Sequence, residues 1–323
     1  MSEVFPFFVG CERSGTTLLS SMFDSHPEIA VPYESYFIPD LVDRRGRYER
    51  NGGFDLDAFI NDIVTHWWFP TWRLPEDLVR RELPGSETDT LEAAIRSLYA
   101  LYAQHRGKPR YAEKTPRYVF YIPMLADLFP EARFVHLVRD GRDVALSLVD
   151  RDWGPANVTE ASVFWRHHVQ RGRAGGRVVG PARYREIRYE DLLDAPETVV
   201  RELCDFLNLR FDDEMLRYFE RSGELLGSTR NPREHQSLAL PPTQGLRDWR
   251  TQMDRKDLLV FEIAAGRTLT EFGYPVETED PDVMSRTIAR LRAWFGVGTF
   301  QARRVGHRLE RLLRARGLLP QAK

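Results

Sequence analysis

The chain has 323 residues, 42% of them apolar, and a formal net charge of −2. That length holds one large α/β domain or two small ones around a substantial core, and the charge balance excludes general nucleic-acid affinity. The two cysteines, Cys11 and Cys204, support neither a disulfide framework nor a zinc site and suit a reducing compartment.

An apolar run from Phe5 ends in Gly10, four residues follow, and Gly15, Thr16 and Thr17 open a segment with Leu18, Leu19, Met22 and Phe23 at helical spacing. The pattern predicts a strand, a glycine-bounded loop and a helix N-terminus, where converging backbone N–H groups and the helix dipole hold an anion. The loop is therefore expected to bind phosphate. Its G-x-x-x-x-G spacing matches a P-loop, but Thr16 stands where the Walker lysine belongs, which argues against ATP or GTP hydrolysis. The cation lies inside the loop instead, as Arg13. This first strand starts too near Met1 to leave room for a signal peptide, and no apolar run approaches the roughly 18 residues of a membrane span, so the expected location is cytoplasmic.

Next comes SHPEIAVPYESYFIP, where His26-Pro27 breaks the helix and Ile29 to Val31 reads as a short second strand. Glu34 then follows a strand end, either facing the same crevice as the first loop or serving as a solvated acid or helix cap. Residues 54–68 carry a wide helical apolar face, and Thr90 to His105 predicts another helix. Residues 45–107 together read as a helical insertion on the acceptor side of the sheet. Its cluster Trp67, Trp68, Phe69 and Trp72 lines a pocket or packs the core. Lysine occurs only at Lys108, Lys114, Lys256 and Lys323, a hint that arginine would not serve there. Lys114 falls at a strand-to-helix junction, either complementing the first loop or exposed.

The run RFVHLV, Arg133 to Val138, predicts a buried parallel strand leading into Arg139-Asp140-Gly141-Arg142-Asp143 and a helix. Arg139 and Ser147 are about two helical turns apart and suit one phosphate, while Arg142 and Asp143 are expected to face solvent. A long helix from Thr159 to Arg173 includes His167 and His168, which point to different faces and receive no chemistry. Tyr184 to Tyr189 predicts another strand before the stretch YEDLL. This rhythm gives an α/β, P-loop-like three-layer fold with a central, mainly parallel sheet flanked by helices. Polar, proline-rich residues follow, with Arg230, Arg233, Arg247 and Arg250 available to close over a nucleotide. A helix from Asp257 to Phe272 ends the domain, taken as 1–275. Residues 276–323 form an acidic linker and a basic amphipathic tail, with nine arginines between Val283 and Lys323. That tail suits an anionic membrane surface, docking on the domain, or pairing with a second subunit.

With GCERSGTTLL, VHLVRDGRDVALSL and YEDLL in this order, the chain resembles the sulfotransferases that use 3′-phosphoadenosine 5′-phosphosulfate (PAPS), over roughly residues 4 to 275. Within that family it is most similar to tyrosylprotein sulfotransferases and related bacterial enzymes. The resemblance implies PAPS as cosubstrate without a metal, a hydroxyl-bearing acceptor, and Glu34 as general base. It matches Arg13 and Lys114 to cations that balance the sulfuryl group. It also implies a 5′-phosphosulfate loop of Arg13, Ser14, Gly15, Thr16 and Thr17, a 3′-phosphate element of Arg139 and Ser147, and Tyr189 near the adenine. The basic R-K-G segment of cytosolic family members is not present ahead of Arg247-Asp248-Trp249, which leaves open the late arginine that touches nucleotide. The competing readings are a P-loop small-molecule kinase and a non-catalytic, membrane-associated nucleotide-binding protein.

Overall fold

A computed structural model describes residues 3–50, 52–151, 153–221, 238–241, 248–278 and parts of 283–298. Arg230, Arg233, Arg247 and the tail beyond residue 298 lie outside the described residues. The chain divides into two compact units.

The first unit comprises Met1–Cys11, Gly15–Leu137 and Arg171–Thr243. Strands are β1 (Phe5–Gly10), β2 (Ile29–Ala30), β3 (Glu49–Arg50), β4 (Gly53–Phe54), β5 (Arg110–Tyr111), β6 (Glu113–Lys114), β7 (Ala132–Val138) and β8 (Tyr184–Arg188). Four of them form the central sheet in the order β6-β1-β7-β8. Parallel pairing joins β1 to β6, with Phe8 opposite Lys114, and to β7, from Phe5 opposite Ala132 to Gly10 opposite Leu137. Side chains alternate across a strand, and both faces of β1 are covered. Phe5, Phe7 and Val9 join a core with Phe134, Phe129, Tyr99 and Ile95. Phe8 joins a separate core with Leu19, Phe23, Val135, Leu137 and Leu203. An unbroken apolar run is what such a doubly buried strand requires.

Two local expectations change. The Ile29 strand stays out of the central sheet, pairs in parallel with β5 and stops at Ala30. It ends there because the Val31 N–H donates to Asp24 Oδ1 at 2.9 Å rather than continuing a ladder. The helix expected over 54–68 spans Leu56–Val64, with Asp55 capping its start. Thr65 Oγ1 donates back to Asn61 O at 2.6 Å, and Pro70 then opens the short 3₁₀ turn Phe69–Trp72. The helix expected over Thr90 to His105 spans Leu91–His105, with the Thr90 side chain capping its start.

The second unit comprises Glu12–Ser14, Val138–Gln170 and Gln244–Lys323. Helix Gly141–Val149 begins at the capping side chain of Asp140, and helix Arg255–Glu271 at that of Asp254. Trp165 packs between Phe261 and Phe272. Arg142, expected in solvent, has no exposed surface. Its guanidinium meets Asp140 Oδ2 and Glu262 Oε1 at 2.7 Å each and lies 3.6 Å from the Trp249 ring centroid. Two carboxylates and an indole replace its water. Residues 286–292 are helical, with Leu291, Trp294 and Phe295 exposed.

Candidate active site

In the first unit, the anion-loop helix runs Thr16–Ser25, and Gly15 precedes it with φ of 93° and no side-chain cap. Its first backbone bond runs from Leu19 N to Gly15 O, so the N–H groups of Thr16, Thr17 and Leu18 have no acceptor within the helix. A Cβ at Gly15 would lie 2.4 Å from the Tyr189 ring. Glycine is thus needed twice, for the left-handed turn and for the aromatic ring packed on it. The ring belongs to the residue expected near adenine.

Glu34 and Lys114 meet in the same unit. Lys114, at the end of β6, places Nζ 3.0 Å from Glu34 Oε1, with side-chain exposures of 1% and 12%. Nζ also lies 4.4 Å from the Tyr33 ring centroid. Ser35 N donates to Thr115 Oγ1 at 2.9 Å, Ser35 Oγ bonds Tyr118 OH at 2.6 Å, and Trp72 Nε1 donates to Glu34 O at 3.2 Å. These bonds pin both partners through their backbone neighbours. Behind them lies Glu113, absent from the sequence reading. Its carboxyl accepts from Tyr99 OH and Thr115 Oγ1. Burial raises its pKa to about 7, against the lowering effect of those hydroxyls and of Lys114. The available signal was a glutamate alternating into a strand position opposite buried Phe7.

In the second unit, Arg13 adopts φ of 71°, rare for a side-chain-bearing residue and typical of functional turns. Its Nε donates to Ser147 Oγ at 3.0 Å. Arg139 Nη1 approaches Arg13 O at 3.5 Å, and its Nη2 lies 3.5 Å from Asp143 Oδ2. The Trp165 indole N–H holds Arg139 O at 3.0 Å. Arg13, Arg139 and Ser147 are therefore neighbours. Ser14 is fully buried, and its Oγ has no hydrogen-bond partner among the described residues. A buried hydroxyl with no such partner, on the residue after Arg13, fits an anion. His168, assigned no chemistry, reaches Glu12 at 3.0 Å.

A family model described as "Sulfotransferase family" matches residues 6–213. The protein-tyrosine sulfotransferase of Drosophila melanogaster is 25% identical over 221 residues, covering 66% of this chain and 40% of its own length. Protein-tyrosine sulfotransferase A of Caenorhabditis elegans is 23% identical over 244 residues, covering 73% of this chain and 58% of its own. The chain thus spans about half the length of these relatives. Among solved structures, the sulfotransferase domain of the Synechococcus PCC 7002 olefin synthase superposes with a TM-score of 0.58 at 23% identity, over 87% of this chain and 98% of that one. The sulfotransferase domain from the curacin biosynthetic pathway gives 0.57 at 19% identity, over 85% and 99%. These structures share the fold of a parallel sheet flanked by helices. Matched by the family model over more than half of its length, the chain belongs to the sulfotransferase family.

Proposed function

We propose that this chain transfers a sulfuryl group from PAPS to a hydroxyl on a small molecule, glycan or lipid. The observation that carries the reading is the buried Glu34–Lys114 pair, a base and a cation held at 3.0 Å. Glu34 takes the acceptor proton as the acceptor oxygen bonds to sulfur. The bond from sulfur to the bridging phosphate oxygen breaks, and 3′,5′-adenosine diphosphate leaves with that electron pair. Lys114 turns from Glu34 toward the charge carried by the sulfuryl and bridging oxygens.

In the first unit, Gly15, Thr16 and Thr17 bind the 5′-phosphosulfate through helix N–H groups and hydroxyls, with Tyr189 against the adenine. In the second, Arg13, Ser14, Arg139 and Ser147 supply cations and hydroxyls to phosphate oxygens. The Arg13–Ser147 hydrogen bond opens when phosphate arrives. Positioning and electrostatics suffice for such in-line transfer. Arg290 and Arg292, beside the exposed Leu291, Trp294 and Phe295, add a peripheral membrane contact to this reading.

Titration calorimetry with 3′,5′-adenosine diphosphate and with Mg-ATP, together with transfer of labelled sulfate from PAPS to a cell extract, tests the proposal. Binding of the diphosphate and a labelled product are expected. Tight Mg-ATP binding with no affinity for the diphosphate would replace this reading with a kinase.

A further inference from the structure

The first unit contains a cavity of about 250 Å³ that reaches both Thr17, in the first turn of the anion-loop helix, and Lys114. Its walls come from six places in the chain, Lys114 of β6 and Leu238 being two of them. Helix Thr16–Ser25 gives Thr17, Ser20, Ser21 and Asp24, and the segment after β2 gives Val31, Pro32 and Tyr33. The 3₁₀ turn gives Trp72 and Arg73, and the end of helix Leu91–His105 gives Tyr102, His105 and Arg106. A dry cavity of roughly 150 Å³ accepts benzene, so this one takes a single-ring compound with one or two polar substituents.

The chemistry of the lining is uneven. Tyr33, Trp72 and Tyr102 present aromatic surface, and Trp72 is tied to the Glu34 backbone by its indole N–H at 3.2 Å. Arg73 and Arg106 add cationic charge, with His105 beside them. Arg73 has φ of 52°, a left-handed conformation that ends the 3₁₀ turn. The lining acid, Asp24, lies 3.8 Å from Lys108 and 3.8 Å from Arg106. Asp24 is shared between buried Lys108 and Arg106, so with Arg73 three cations stand against the one lining acid. Burial pushes the Tyr102 phenol pKa up, Asp24 adds to the rise, and Arg106 and Arg73 oppose it.

We infer that this cavity is the acceptor pocket and that it selects a small, ring-sized hydroxyl compound bearing an anionic group, a carboxylate or a phosphate. The ring lies among Tyr33, Trp72 and Tyr102, the anion meets Arg73 and Arg106, and the hydroxyl faces Glu34 and Lys114. The inference rests on the sulfotransferase reading for the hydroxyl's fate, but the anion selectivity is a property of the pocket alone.

The test uses the full chain, labelled PAPS and four one-ring phenols: 4-hydroxyphenylacetate, 4-hydroxyphenyl phosphate, neutral 4-ethylphenol and cationic tyramine. The expected kcat/KM is at least about tenfold higher for one of the anions than for 4-ethylphenol, and lowest for tyramine. The double variant Arg73→Asn/Arg106→Gln brings kcat/KM for the preferred anion down to that for 4-ethylphenol in the same variant, with a thermal melt and 3′,5′-adenosine diphosphate binding run beside it to show that the protein is folded. The carboxylate and phosphate arms identify the anion. Equal use of neutral and anionic phenols, a preference that survives the double variant, or preference for an acidic tyrosine peptide over all four compounds overturns the inference. Calorimetry with the two anionic phenols in the presence of 3′,5′-adenosine diphosphate separates the two layers. Saturable binding lost in the double variant, without sulfate transfer, keeps the pocket assignment and rejects the sulfotransferase reading. Transfer to 4-ethylphenol with no binding of either anion does the reverse, and neither binding nor transfer rejects both.

Discussion

Replacing Glu34 by alanine removes the carboxylate 3.0 Å from an ammonium whose side chain is 1% exposed. Breaking a buried pair by deleting one partner costs about 3–5 kcal/mol, because the remaining charge keeps its desolvation penalty. Here the low end applies, since the Tyr33 ring stays 4.4 Å from Lys114 Nζ and Glu34 itself keeps 12% exposure. A loss of about 3 kcal/mol lowers the melting temperature by roughly 6–12 °C at about 2–4 °C per kcal/mol. Loss of a general base lowers turnover by about 10²–10⁴. The double variant Glu34→Leu/Lys114→Met separates the two effects, because an apolar pair of similar size is often neutral for stability. It should melt near wild type and remain as inactive as the single variant. Thermal melts and single-turnover transfer from labelled PAPS, run well below the melting range, read both quantities. A Glu34→Ala protein that melts like wild type refutes the buried-pair energetics, and one that turns over like wild type refutes the base assignment.

Glu113 makes stability fall with rising pH. Its carboxyl titrates near 4.5 when free and about 7 in the fold, so only the folded state holds the proton between those values. The stabilisation is complete below pH 4.5 and lost by pH 7, a difference of about 3 kcal/mol. Urea unfolding at pH 5 and pH 8 should show this fall in wild type and a flatter dependence in Glu113→Gln; an identical slope in both would refute it. Arg142→Met strands Asp140 and Glu262 in the second unit and should cost about 3–5 kcal/mol in urea unfolding; a loss below about 1 kcal/mol would return Arg142 to the solvent-facing role. Gly15→Ala pays for a left-handed side chain, about 1–2 kcal/mol, and displaces the Tyr189 ring. Adding Tyr189→Ala should recover stability in a thermal melt but not the backbone part, and full recovery would show that the turn itself tolerates a side chain.

The features legible in the sequence were those encoded by neighbours along the chain. The β1 run is apolar at every position because both faces are covered, and Gly15 marks a turn that only it accepts cheaply. The start of helix Leu91–His105 was legible to within one residue, whereas the last helix begins at Arg255 behind the Asp254 cap, two residues before the expected Asp257. Sparse lysine also carried information: Lys108 and Lys114 are both buried, at 8% and 1% exposure, where a compact ammonium fits against carbonyl or carboxylate oxygens. Arg142 was illegible because its partner Glu262 lies 120 residues away, and a charged residue in a helix first turn reads locally as solvated. The cavity proposed for the acceptor was hidden for the same reason. Trp72 was read as lining a pocket or packing the core, but Arg73, Arg106 and Asp24 converge only through the folded insertion.

The lysine missing from the anion loop has a physical counterpart in the way charge is divided. A Walker lysine reaches phosphate from the first turn of the helix, where it also serves a transferred phosphoryl group beside magnesium. In this chain that turn carries two threonine hydroxyls, and its backbone donors are uncharged. The cations stand on separate supports: Lys114 on a strand end, held by Glu34, and Arg13 on a left-handed loop residue, held by Ser147. Each cation has a local partner that neutralises or satisfies it in the free protein. A sulfuryl group carries less charge than a terminal phosphate, so under the proposed reading a cation shared with a carboxylate would be enough to follow the charge as the bond to oxygen breaks. In the proposed transfer the same sharing would keep Glu34 next to the place where an acceptor proton must go, so that one buried ion pair would supply both the base and the electrostatic complement.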